Sequence, residues 1–282
     1  MDWGDATRDL VVHADNLDVL PLIPDGAFTT IYLDPPFNTG RSQQRSRLKT
    51  VRSATGTRIG FGGHTYEQVV TGLMAYDDVF GDYWAFLFPR LEQAWRLLAE
   101  DGTLYLHLDY REVHYAKVAL DALFGRECFL NEIVWAYDYG ARTTKKWPAK
   151  HDTILVYVKD PARYHFDSAE VDREPYMAPG LVTPEKAARG KLPTDVWWHT
   201  IVSPTGKEKT GYPTQKPEGI LRRIVAASSR PGDRVADFFA GSGTLGAVAQ
   251  TLGRRFVCID ASPDAVEVMR KRLGEGPTYI SG

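Results

Sequence analysis

Cysteine is nearly absent from this chain: only Cys128 and Cys258 occur among 282 residues, and neither stands in a CxxC or a Cys/His cluster. That scarcity excludes a disulfide framework and a thiolate zinc site. Cys258 sits in the apolar run Phe256–Ile259 and reads as a buried strand residue. No apolar run is long enough to span a bilayer, and no signal peptide opens the chain, so a cytoplasmic location without membrane contact is expected. Net charge is scarce too, at -2, which gives no global sign of a polyanionic partner. Internal repeats and low-complexity tracts are absent. What is present is a hydrophobic share of 43%, enough for a sizeable core. The length fits one large α/β domain, alone or with a smaller insert.

The charge is unevenly placed. From Pro35 to Tyr66 there is no acidic residue, while Arg41, Arg45, Arg47, Lys49, Arg52 and Arg58 fall in that stretch. A second basic group, Arg142, Lys145, Lys146 and Lys150, surrounds Trp147. Basic patches on a near-neutral chain fit a local polyanion footprint, although a solvated loop has the same composition.

Strand and helix patterns alternate along the chain. Residues 10–13 read as a short strand, followed by a turn and helix cap at Ala14-Asp15-Asn16. A buried strand over 29–34 stops at Pro35-Pro36, and a long loop is expected from Asn38 to about Thr65. Leu87, Leu91, Ala94, Trp95 and Leu98 recur at helical spacing, with Gly102 as the stop and Pro89 at a kink or a start. Further strands are expected over 103–109, 131–140 and 153–158, with a helix over 112–125. Periodicity fades between 160 and 212. A helix from 216, a strand over 234–239, a helix over 243–252, a strand over 256–260 and a helix over 263–273 follow. This alternation predicts a parallel sheet with helices on both faces. His107 and His151 border strands and read as structural residues. Trp197 and Trp198 fit either domain core or a groove-reading surface.

Two motifs carry chemistry. The run Asp237-Phe238-Phe239-Ala240-Gly241-Ser242-Gly243 lies between a strand and a helix, the layout of a nucleotide loop. It lacks the third glycine of a dinucleotide binder, which suits a cofactor without phosphates. Asp260, at the end of the next strand, is placed to bind ribose hydroxyls. The second motif is Asp34-Pro35-Pro36-Phe37. Two prolines fix the backbone and hold Asp34 at a strand's C-terminal end, where ligands bind in open α/β sheets. The Asp34 carboxylate and the Pro35 carbonyl are two acceptors for one –NH₂, and Phe37 offers a face for a flat ring. Proline-stopped strands and packing glycines have the same local appearance. The two motifs in one chain favour group transfer from a nucleoside cofactor to a planar amine.

At these residues the chain resembles the amino-methylating DNA methyltransferases of the β class, in which the catalytic motif precedes the cofactor motif. Its DPPFNTG resembles their DPPY, its DFFAGSGT resembles their DPFAGSGT, and GYPTQKPEGILRRIV resembles the segment before their cofactor strand. The resemblance spans most of the chain and is weakest over 41–65 and 160–210. It implies a Rossmann-like S-adenosylmethionine-dependent methyltransferase fold with permuted motif order. Residues 1–159 would form the catalytic half, with a basic DNA-facing loop over 38–65. Residues 160–211 would be a target-recognition insert and 212–282 the cofactor-binding half.

The resemblance also implies roles. Asp34, Pro35, Pro36 and Phe37 would grip an extruded base. Asp237, Phe238, Ala240, Gly241 and Gly243 would line the methionine end of S-adenosylmethionine, with Thr214 and Lys216 near its carboxylate. Asp260 and Ser262 would lie at the ribose, and Asp15 and Asn16 at the adenine. Arg41, Arg45, Arg47, Lys49, Arg52, Arg142, Lys145 and Lys146 would meet double-stranded DNA. No metal is implied. The departures are Phe37 for the usual Tyr, which keeps stacking and loses a hydroxyl, and Phe239 in the loop. Asp as the first motif residue favours N6 of adenine, with N4 of cytosine as the alternative. A DNA-binding protein without chemistry and an RNA methylase are the other readings. A bacterial or archaeal enzyme at the nucleoid is implied, with a cognate restriction endonuclease and a homodimer as further partners that the residues do not decide.

Overall fold

A computed structural model describes residues 3, 7–39, 43–52, 58–59, 65–76, 82–140, 142–203 and 205–281, with backbone only for 43–52, 58–59 and 65–76. In chain order the strands are β1 (Leu10–His13), β2 (Phe28–Leu33), β3 (Gln43–Arg52), β4 (Arg58–Ile59), β5 (Thr65–Tyr76), β6 (Leu98–Leu108), β7 (Phe129–Ala136), β8 (His151–Val158), β9 (Val196–Trp198), β10 (Arg234–Asp237), β11 (Arg255–Asp260) and β12 (Thr278–Ser281). The α-helices are α1 (Asn16–Val19), α2 (Tyr83–Leu97), α3 (Val113–Phe124), α4 (Pro184–Arg189), α5 (Glu218–Ser228), α6 (Thr244–Thr251) and α7 (Pro263–Leu273).

Nine strands form one sheet in the order β12-β1-β11-β10-β2-β6-β8-β7-β9. Pairing is parallel from β12 through to β6 and again between β7 and β9, while β8 runs antiparallel to both β6 and β7. Its strands read as unbroken apolar runs because both faces are covered. Successive residues serve opposite layers. Leu10, Val12, Ile31, Leu33, Leu104 and Leu106 pack with Leu87, Leu91 and Leu120 of α2 and α3. Val11, Tyr32, Tyr105, Phe256 and Cys258 pack with Ile224, Val248 and Met269 of α5, α6 and α7. Cys258 is fully buried, as its apolar setting predicts. The mostly parallel α/β sheet with helices on both faces is thus present.

Local sequence explains the element ends. Asp15 caps α1 by accepting from Leu17 N–H, and Asp82 caps α2 by accepting from Trp84 and Ala85. Gly125, at φ 92°, ends α3 where a side chain would be strained. Three expectations differ. Pro89 lies inside α2 rather than at its start. Its ring nitrogen cannot donate to the Ala85 carbonyl, and the guanidinium of the next residue, Arg90, donates to the neighbouring Phe86 carbonyl at 2.6 Å. The helix also ends at Leu97, so that Leu98 and Gly102 belong to β6. The stretch expected as a loop from Asn38 to Thr65 contains β3 and β4, which pair antiparallel with β5 in a separate three-stranded sheet. The β-branched and aromatic residues of Thr65–Tyr76 supply the partner strand. Within 160–211, α4 forms, Glu174 bridges Lys191, and β9 joins the main sheet beside β7. Trp197 is buried and Trp198 exposed, so the pair divides between core and surface.

Candidate active site

Register places the chemistry on one edge of the sheet. Tyr32 of β2 pairs with Asp237 of β10, Asp237 pairs with Cys258 of β11, and Asp260 pairs with His13 of β1. The C-terminal ends of these parallel strands therefore share one edge. Asp34 follows β2, Asp237 ends β10, Asp260 ends β11 and Asp15 follows β1. The chain winds outward in opposite directions from β10 and β2, and a crevice opens at such a switch point. It is a cavity of about 1080 Å³, just above the ~300–1,000 Å³ range of small-molecule sites.

Asp34, Pro35, Pro36 and Phe37 line this cavity together with Asp15, Asn16, Thr214, Lys216, Asp237, Phe238, Ala240, Gly241, Asp260 and Ser262. Gly243 does not. It caps α6 at φ 70°, and a Cβ there would meet Met269 Cγ at 2.7 Å, so its lack of a side chain serves packing. Gly241 adopts φ 49° under Tyr212, whose ring would stand 3.1 Å from an added Cβ. Arg142, Lys145 and Lys146 are exposed between β7 and β8. Arg45, Arg47, Lys49 and Arg52 lie on β3, and Arg41 lies outside the described residues.

The Asp34 carboxylate is divided in its duties. The Lys216 ammonium donates to Oδ2 and also stands 5.0 Å from the Phe37 ring centre. Oδ1 is buried and accepts no hydrogen bond among the described residues, and His107 Nδ1 stands 4.0 Å from it. A buried carboxylate oxygen without a donor is costly. Beneath Asp34 runs a polar chain that sequence reasoning missed. Burial, with the charges of Asp34, Asp237 and Asp152, pushes the Tyr32 phenol well up, and its hydroxyl shares a hydrogen bond with His107 Nδ1 at 2.7 Å. The Asp152 carboxylate can only accept, so the hydrogen between it and His107 lies on Nε2, 3.2 Å from Oδ2. Burial alone would raise Asp152; hydrogen bonds from His107 and Tyr137 and the nearby Lys216 charge outweigh it and hold the carboxyl below its ordinary value. His107 is fully buried beside Phe37, ring centres 5.7 Å apart. It stands behind the cavity wall, against Tyr32 and Phe37, which line it. No metal-holding cluster occurs among the described residues.

The other end is held by turns. Asp260 accepts Gly241 N–H at 2.7 Å on Oδ2 and Ser262 N–H at 2.8 Å on Oδ1. Burial raises its pKa against those bonds. Burial pushes Asp237 well above the carboxylate range, and the neighbouring Asp34 and Asp260 charges add to it against the hydrogen bond from Phe239 N–H. With Asp237 pushed up, Asp15, Asp34, Asp109, Asp152 and Asp260 face Arg90, Arg111, Lys209 and Lys216 around the cavity, a slight excess of acid that suits a cationic ligand. A nucleoside sulfonium with an α-amino group fits that donor set. Asn16 is only 6% exposed: Nδ2 donates to the Phe238 carbonyl at 2.8 Å and Oδ1 accepts from Arg90 Nε at 2.6 Å. Arg90 also donates to Asp15 Oδ1 at 2.8 Å. Arg90 was legible in one respect, since it stands on the apolar stripe between Leu87 and Ala94, where a solvated cation has no place.

A family model described as DNA methylase matches residues 28–271. The chain is 29% identical over 277 residues to the DNA adenine methyltransferase YhdJ of Escherichia coli, covering 95% of this chain and 84% of that protein. It is 30% identical over 278 residues to the type II methyltransferase M2.LlaDCHI of Lactococcus lactis, covering 96% and 91%. Among solved structures, M1.HpyAVI in complex with SAM superposes with a TM-score of 0.60 at 20% identity, covering 94% of this chain and 98% of that one. The cytosine-N4-specific PvuII DNA methyltransferase superposes with a TM-score of 0.62 at 12% identity, covering 98% and 95%. These two likenesses concern the fold.

Proposed function

This chain belongs to the N6 and N4 DNA methylase family, and from that premise we propose that it methylates N6 of adenine at a specific DNA sequence through the Asp34–Phe37 motif. The observation that carries the reading is the Asp34 carboxylate beside Pro35 and Phe37, in the same cavity as the Gly241 turn. A base amine inside a duplex cannot reach that carboxylate, so the base leaves the stack. Phe37 then stacks on the ring, while the Asp34 carboxylate and the Pro35 carbonyl each accept one amine hydrogen. Two acceptors draw the nitrogen lone pair away from the ring; the nitrogen would take the methyl carbon as its bond to sulfur breaks, and would release one hydrogen as a proton. Lys216 holds Asp34 Oδ2, and the Tyr32–His107–Asp152 chain lies behind the wall.

S-adenosylmethionine, when bound, supplies a methyl group on an electron-poor sulfonium. Asp237 and Asp260 would hold its positive end and its ribose, Asp15 its adenine, and Thr214 its carboxylate. Asn16 and Arg90 position the Phe238 turn. In this reading 1–159 and 212–282 are the catalytic and cofactor halves and 160–211 serves target recognition. The type II relative supports a protective role opposite a restriction endonuclease at the bacterial nucleoid, and the proposal extends to a homodimer, which sedimentation reads.

Incubation of unmethylated DNA with enzyme and cofactor, followed by digestion to nucleosides and mass analysis, tests the reading. N6-methyladenine is expected. N4-methylcytosine would keep the mechanism and change the base, and no methylated nucleoside would overturn both.

A further inference from the structure

Strands β7 and β8 are joined by a segment whose neck sits at the cavity. Ala136 pairs with His151, and Tyr137 N–H donates to the Lys150 carbonyl at 2.9 Å. Tyr139, Gly140, Ala149 and His151 line the cavity, so the segment leaves and returns at its rim. Beyond the neck lies Trp147, 94% exposed, with the exposed cations Arg142, Lys145 and Lys146 before it. Trp198 is exposed as well, and β9 sets it opposite Ala136, at the same end of the sheet.

Trp135 and Trp197 are both buried, each with its N–H donated to a backbone carbonyl at 2.7 Å. Trp147 is instead held in water on a cationic loop beside the cavity assigned to a base. Cations of that kind hold backbone phosphates. A flat apolar side chain next to them is suited to enter a base stack. A base drawn out of a duplex leaves just such a gap between its former neighbours.

We propose that Trp147 stacks into the duplex space left by the target base and so stabilises the extruded state, with Arg142, Lys145 and Lys146 holding the phosphates around it. The proposal rests on the methylase reading of the cavity. Trp147 touches neither the amine nor the cofactor, so it is a positioning residue whose effect depends on how firmly the target base is held in the helix.

The test uses the full-length enzyme. Modified-base sequencing of unmethylated plasmid DNA treated with wild type gives the motif. No modified base in that DNA would overturn the methylase reading, and this proposal with it. Duplex oligonucleotides carrying the motif are then prepared with the target base either paired or opposite an abasic site, where it is already loosened. Trp147→Ala is expected to lose about tenfold or more in kcat/KM on the paired duplex, the scale of one base–aromatic stack. On the abasic duplex it should stay within about threefold of wild type on that same scale. Trp147→Phe should recover most of the loss, while cofactor affinity and Tm remain unchanged. Equal losses on both duplexes would make Trp147 a general DNA contact and overturn the proposal, and so would wild-type rates on both.

Discussion

Arg90→Met is the perturbation that best isolates how the cofactor end of the cavity is held. Methionine keeps much of the volume on the α2 stripe but supplies no donor. Asn16 Oδ1, buried and 2.6 Å from Arg90 Nε, loses its hydrogen bond, at a cost of ~1–3 kcal/mol for a stranded buried acceptor. The Phe86 carbonyl loses a donor at 2.6 Å, about 1 kcal/mol more. The Asp15 pair counts for little, since Asp15 is half exposed and water replaces the guanidinium. Burial lowers the Arg90 pKa against the Asp15 charge, so removing the cation returns part of the loss. The net is roughly 2–4 kcal/mol, or a fall in Tm of roughly 3–7 °C for a chain of this size. Calorimetry reads the Tm, and titration with S-adenosylmethionine reads the second consequence, weaker binding through a loosened Phe238 turn. A double-mutant cycle with Asn16→Ala should show coupling of about 1 kcal/mol or more. A Tm within about 1 °C of wild type, or a cycle without coupling, refutes this reasoning.

Two substitutions of buried carboxylates should act with opposite signs. Asp237 has its pKa raised by folding, mainly by burial, which penalises the folded state above the ordinary carboxylate range and relents as pH falls through the folded value. Asp237→Asn should therefore raise Tm at neutral pH, with the gain shrinking toward acid, while cofactor binding is lost. Asp152 resists burial because His107, Lys216 and Tyr137 favour its charge, so it stabilises above the unfolded carboxylate range and that help is lost as pH falls through its lowered value. Asp152→Asn should lower Tm at neutral pH, with the deficit closing toward acid; equal behaviour of the two variants in a pH series of melts would contradict both assignments. Gly243→Ala should destabilise by about 1–3 kcal/mol, since φ is 70° and Met269 Cγ would stand 2.7 Å from the new Cβ; chemical denaturation measures this, and an unchanged midpoint contradicts the packing role.

The alternating strands and helices were legible because both faces of a parallel sheet are buried, which writes unbroken apolar runs into β2, β6, β8 and β11. The two ligand-facing turns were legible because proline and glycine constrain backbones openly. Strand β9 was hidden by its length, three residues with one indole in and one out. The strands β3 and β4 were hidden because Gly, Ser and Arg read as loop when the partner strand β5 is not considered. The support of the site was hidden for another reason. His107 and Asp152 look like incidental polar residues in apolar strands, and they meet only because β6 and β8 are sheet neighbours, with His107 paired to Ile154. Pairing between segments more than forty residues apart leaves no local mark.

The central claim is that the Asp34 carboxylate receives the amine that is methylated. Transfer of labelled methyl from S-adenosylmethionine to DNA by Asp34→Ala tests it most directly, with cofactor affinity measured on the same preparation. A fall in kcat of about 10²–10³ or more, with cofactor still bound, is the predicted result. Turnover within about tenfold of wild type would contradict the account.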